Sequence, residues 1–201
     1  MAAMWRSSAL LALVWLASSA NVMACRYNPQ SLTIPQALTK ADSVFVGTII
    51  TIEPGLPADF KPQAGSELTQ RGAGDGGLLG YFKKAELPRG QTLTFTVERQ
   101  WKGVARKNIT VLSAGDRSQS SCDAAYNLQR GDRMVVFAHH DGNYAVLPLT
   151  VVDPLSSYNR YDPAARHGKV AADHPYAKAI ADETAWFQKI LQELPQPPAT
   201  P

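Results

Sequence analysis

Five runs of β-branched and aromatic residues, cut apart by turn signals, lie between residues 43 and 149 and constrain the fold more than any other feature. The first, residues 43–53 (SVFVGTIITIE), is apolar on both faces, which suits a strand inside a barrel or sandwich. Gly47 within it points to a bulge or sharp bend, as barrel closure requires. The second, 91–101 (QTLTFTVERQW), alternates Leu93, Phe95 and Val97 on one face with Thr92, Thr94 and Thr96 on the other. Lys102-Gly103 marks a turn before the third run, 108–112, and Arg130-Gly131-Asp132 turns into the fourth, 134–138. Asp141-Gly142 is a hairpin signal ahead of the fifth, 144–149. Five strands at such intervals predict a small antiparallel barrel.

The flanks add two helices. Thr33-Ile34-Pro35-Gln36 combines an N-cap threonine, an early proline and a glutamine three residues on, a capping box that opens a short helix through Lys40. Asp173-His174-Pro175 is read as the start of a C-terminal helix. In it Ile180, Phe187, Ile190, Leu191 and Leu194 form an apolar stripe for docking outside the barrel. Between strands one and two, residues 54–90 break every periodicity with prolines and a glycine cluster at 72–80, predicting a flexible insertion. That cluster is no phosphate loop, because it lacks the Gly-Lys-Ser/Thr ending. Residues 153–169 read as an irregular wrap and 195–201 as a proline-rich tail.

The N-terminus has the three parts of a secretion signal. Arg6 supplies the positive start, residues 9–17 (ALLALVWLA) the apolar stretch, and Val22-Met23-Ala24 a small-residue cleavage site. The expectation is an exported protein, periplasmic or extracellular, whose mature chain starts at Cys25, with cleavage after Ala20 as the alternative. The apolar stretch falls short of the ~20 residues that span a bilayer, so no transmembrane segment is expected. With 45% hydrophobic residues a core is affordable. Of 20 basic residues only Arg6 lies in the signal, so the remainder nearly balance 17 acidic ones. Near-neutrality and the lack of like-charge runs argue against a nucleic-acid partner.

Cys25 and Cys122 are the only cysteines, and in an oxidising compartment they permit one bridge. Two free thiols are the plainer reading, and a lipid anchor at Cys25, after the lipobox-like Val22-Met23-Ala24, is a third. Nothing marks an enzyme or a resident cofactor. His139-His140-Asp141, His167 and His174 have no HExxH, paired-cysteine or facial-triad spacing, and no Gly-x-Ser-x-Gly elbow occurs. Adjacent histidines at a turn read as solvated surface groups.

The wording of the strands carries more. Ser43-Val44-Phe45-Val46-Gly47-Thr48, then Thr94-Phe95-Thr96-Val97-Glu98-Arg99-Gln100-Trp101-Lys102-Gly103, Ile109-Thr110-Val111, Ser121-Cys122, Gly131-Asp132 and Met134-Val135-Val136-Phe137-Ala138 form one series. It resembles bacterial secreted proteins related to the tissue inhibitors of metalloproteinases, over residues 25–149. The resemblance implies a netrin-like domain over 25–152, a five-stranded OB-fold barrel, with residues 153–201 lying outside the family's pattern. It implies a Cys25–Cys122 bridge, since family members pair the first cysteine with that of the Ser-Cys motif. The family's second N-terminal cysteine is replaced here by Tyr27, and its partner after the last barrel strand is missing as well. The implied function is binding to a protein, with a zinc metalloprotease as the partner. There the α-amine and carbonyl of Cys25 would fill the open position of the enzyme's zinc, and Arg26 would enter the specificity pocket. The edge implied is Cys25, Arg26 and Tyr27. Animal inhibitors place a small residue where Arg26 stands, and the alternative is a non-inhibitory envelope module or lipoprotein.

Overall fold

The computed structural model describes residues 32–61, 90–113, 128–148, 153–168 and 170–198. Helix α1 (Ile34–Lys40) comes first, and its capping box is complete: Gln36 N–H donates to Thr33 Oγ1, and Thr33 N–H to Gln36 Oε1. Strands β1 (Ser43–Pro54), β2 (Gln91–Lys102), β3 (Asn108–Ser113), β4 (Arg133–Asp141) and β5 (Tyr144–Val146) follow. They pair in the order β1-β2-β3-β5-β4, and β4 returns to β1, closing a five-stranded OB-like barrel. The insertion after β1 is pinched at its base, where Gly55 N–H donates to the Gly90 carbonyl at 2.6 Å. Its residues 62–89 lie outside the described residues.

The sheet is mixed and not antiparallel throughout, because β3 and β5 run parallel through Val111–Ala145 and Leu112–Val146. The reason is topological: a closed ring of five strands cannot alternate direction at every step. The last strand is also shorter than 144–149, ending at Val146, after which Leu147 N–H still donates to the Leu112 carbonyl. Gly142 (φ 62°) opens the two-residue β4–β5 hairpin, with Asn143 at negative φ, as a type II′ turn requires.

Gly47 sits at a register shift between β1 and β2. A Cβ there would lie 2.6 Å from the Thr96 carbonyl oxygen, so the strands approach closely only because the side chain is absent.

Period-two alternation divides β1 and β4 between two cores. Phe45, Ile49, Met134, Val136 and Ala138 point into the barrel with Leu93, Phe95, Val111 and Leu147, where Phe45 and Phe95 meet edge to face. Val44, Val46, Val135 and Phe137 point outward into a second cluster with Ile34, Ala37, Leu155, Tyr158, Phe187, Ile190 and Leu194. An outer layer thus covers β1 and β4, whereas β2 keeps a threonine-rich outer face.

That layer comes mostly from the C-terminal residues. The expected irregular wrap is instead a chain of short regular pieces: a 3-10 turn (Pro154–Tyr158), β6 (Arg160–Tyr161) beside β4, and helix α2 (Pro163–His167). Helix α3 (Ala177–Glu193) begins four residues later than Asp173 and has no side-chain cap. Pro175 disfavours helical geometry at His174, so residues 172–176 form turns first. Phe187 and Ile190 are buried, while Ile180 and Leu191 are only partly covered.

Candidate functional site

The expected contact edge, Cys25-Arg26-Tyr27, and Cys122 all lie outside the described residues. The described chain starts at Leu32, whose carbonyl accepts the Tyr158 hydroxyl. Ile34 and Ala37 are then buried in the outer cluster, so the entry into α1 is held by packing and by a cap.

Three arrangements elsewhere bring polar groups together. The first joins β4 to the start of the 3-10 turn. His139 Nε2 lies 2.7 Å from Asp153 Oδ2, and its Nδ1 is 3.9 Å from Asp42 Oδ2. Asp42 also accepts the His140 N–H, and Asp153 accepts the Leu155 N–H as N-cap of the turn. Burial by itself would raise the Asp153 pKa. Hydrogen bonds from His139 and Leu155, helped by the charges of His139 and Lys40, outweigh it and hold the carboxyl below its ordinary value. His139 therefore belongs to β4 and to a carboxylate, not to a solvated turn. Among the described residues no group of three or more His, Cys, Asp or Glu could hold a metal ion.

The second arrangement is a nearly buried ion pair. Asp132, 3% exposed, accepts both Arg166 Nε (2.8 Å) and Arg166 Nη2, together with the Gln129 N–H at 2.7 Å. The guanidinium also lies over the Tyr161 ring, 3.8 Å from its centre. A two-point guanidinium–carboxylate contact fixes orientation as well as distance. It fastens α2 to the turn before β4, which is a structural role.

The third arrangement is a pair of grooves flanking the turn between β2 and β3. One, of about 440 Å³, runs from Arg106 and Asn108 to the β4–β5 hairpin and includes His140, Asn143 and Tyr144. Tyr144 donates its hydroxyl to Asp59 at 2.7 Å, and this bond raises the phenol pKa. The other, of about 620 Å³, follows residues 97–103 of β2 and its turn. It is lined by Arg99, Arg106 and Lys107 together with Pro197 and Pro198. Sequence reading passes over this cation cluster because Arg99 stands seven positions from Arg106; only the fold of the turn brings the three to one groove.

The architecture is that of a mainly β protein built on a closed OB-like barrel with an outer helical layer. No protein-family model matches the chain, and no curated protein matches it either. No helix among the described residues is long and apolar enough to cross a membrane.

Proposed function

We propose that this is an exported protein-binding module, not an enzyme, whose contact edge is Cys25-Arg26-Tyr27 and whose partner is a zinc metalloprotease. The observation that supports this reading is the barrel: strand order β1-β2-β3-β5-β4, closed onto β1 with a short helix ahead of it, is the architecture that the resemblance to metalloproteinase inhibitors implies. The reading includes signal removal after Ala24, a Cys25–Cys122 bridge and an unlipidated amine. Only a chain terminus offers an amine and a carbonyl that can chelate one zinc together. An α-amino group ordinarily titrates at about 8, so it gives up its proton to a metal at little cost.

A single alanine added before Cys25 converts that amine into an amide, which ligates zinc poorly. Native and Ala-extended protein, titrated against a panel of zinc proteases that includes acid-lined pockets able to pair Arg26, should differ: inhibition is lost on extension while thermal stability hardly changes. Equal inhibition by both forms, or none by the native form at micromolar concentration, sinks the chelation reading in favour of a non-inhibitory module. Intact mass of the purified protein reports the cleavage site, the bridge and any acyl chain directly.

A further inference from the structure

We infer that the groove along the upper half of β2 binds an extended acidic peptide segment, at a site separate from Cys25-Arg26-Tyr27. Residues 97–102 of β2 overhang β3, which starts opposite Thr96. The chain comes back through Gly103–Lys107, and the Gln100 side-chain amide donates to the Lys102 and Val104 carbonyls at 3.1 and 2.9 Å. That stitch holds the turn, and with it the spacing of the cations it carries. Trp101 Nε1 donates to the Pro195 carbonyl at 2.6 Å, which holds the tail carrying Pro197 and Pro198 beside the groove.

Among the described residues the charge in this groove is one-sided. Arg99, Arg106 and Lys107 are exposed, and among the described residues none of their side chains has a hydrogen-bond or ion-pair partner. Glu98, the one carboxylate there among the described residues, is engaged by Arg133 at 2.8 Å, and Lys102 is spent on the carbonyls of Leu38 and Thr39 at the end of α1. Three cations without partners among the described residues call for anionic groups. The lining also includes apolar groups: Val97, Trp101, Ala105 and the two prolines. A groove that mixes cations with apolar wall suits a chain in which carboxylates alternate with apolar side chains. Six residues of β2 extend about 17 Å, the reach of five or six residues of extended peptide. A single-stranded nucleic acid is less well served, because base stacking needs open aromatic faces and among the described residues the groove offers one half-buried indole whose nitrogen is already engaged.

The test uses the purified full chain and three capped, fluorescently labelled hexapeptides of alternating Glu-Val, Glu-Ser and Lys-Val, beside an oligonucleotide and heparin. The Glu-Val peptide should bind, Glu-Ser more weakly, and Lys-Val not at all. The triple variant Arg99→Gln, Arg106→Gln, Lys107→Gln should weaken Glu-Val binding by about tenfold, the combined effect of three exposed charge pairs. A chain ending at Gln196 removes the proline wall and should weaken the peptide but not a polyanion held by charge alone. The Ala-extended protein should bind as well as the native one, so failure of the zinc-chelation reading leaves this result untouched. Heparin or oligonucleotide binding tighter than the peptide would overturn the proposal in favour of a general polyanion site. Absence of peptide binding would overturn it too, and dimeric elution on size exclusion would then assign the groove to a second copy of the chain.

Discussion

The carboxamide of Asn159 takes the place of a stretch of strand pairing on β4. β5 pairs with residues 139–141 of that strand and β6 with 134–135, which leaves Phe137 between them. Asn159 closes the gap: Phe137 N–H donates to its Oδ1 at 2.8 Å, and its Nδ2 donates to the Phe137 and Leu155 carbonyls, each at 3.0 Å. All this happens at a side chain only 2% exposed. Asn159→Ala should therefore cost about 2–4 kcal/mol, since buried backbone groups lose their partners at about 1–3 kcal/mol each. The check is a fall in the denaturant midpoint with an unchanged slope. Asn159→Asp should be destabilised at neutral pH and partly recover on acidification, because a protonated acid regains one donor. Nothing in the sequence marks this residue. An asparagine between two tyrosine-containing stretches reads as a turn former, and its partner is 22 positions away. Gly47 is legible by contrast, because a glycine inside a β-branched run marks a place where a side chain would obstruct the neighbouring strand.

At the scale of elements, helix α1 and the 3-10 turn are both fixed by caps, but only one cap declares itself locally. Thr33 and Gln36 are three residues apart and form the whole box. Asp153 caps the 3-10 turn, yet its stronger partner, His139, comes from β4. The linkage has a definite sign. The folded protein holds Asp153 ionised more firmly than the unfolded chain does, so this contribution is complete above the ordinary carboxylate value of 3.8 and is lost as pH falls through the lower folded value. Stability measured from about pH 5 down to pH 2.5 should show the gap between native protein and Asp153→Asn closing on acidification. His139→Ala should remove about 1 kcal/mol at pH 5, modest because the imidazole is a third exposed. A pH-independent gap would mean that Asp153 acts through its shape and cap alone. The start of α3 departs from the sequence expectation for the complementary reason: Asp173 and Pro175 satisfy a local rule, but no side chain caps the helix, and packing of Phe187 and Ile190 carries it.

The whole molecule is a barrel that shares two of its strands with an outer layer. Phe187, Ile190 and Leu194 cover Val44, Val46, Val135 and Phe137, which would otherwise face water. Burial of three large apolar side chains contributes about 5–9 kcal/mol, comparable to the whole stability of a typical domain. A chain ending at Tyr176 should thus lose cooperative unfolding and near-ultraviolet dichroism, and bind a hydrophobic dye. A cooperative transition in that truncated chain would show that the barrel stands alone. The sequence by itself determined the strand positions, the capped first helix and the doubled apolar character of β1, because periodicity and capping are set within a few residues of chain. Tertiary structure alone decided the parallel β3–β5 pair, the order of the wrap, the Asn159 patch and the gathering of Arg99 with Arg106 and Lys107. Those depend on which distant segments become neighbours when a ring of five strands closes, and no local pattern encodes that closure.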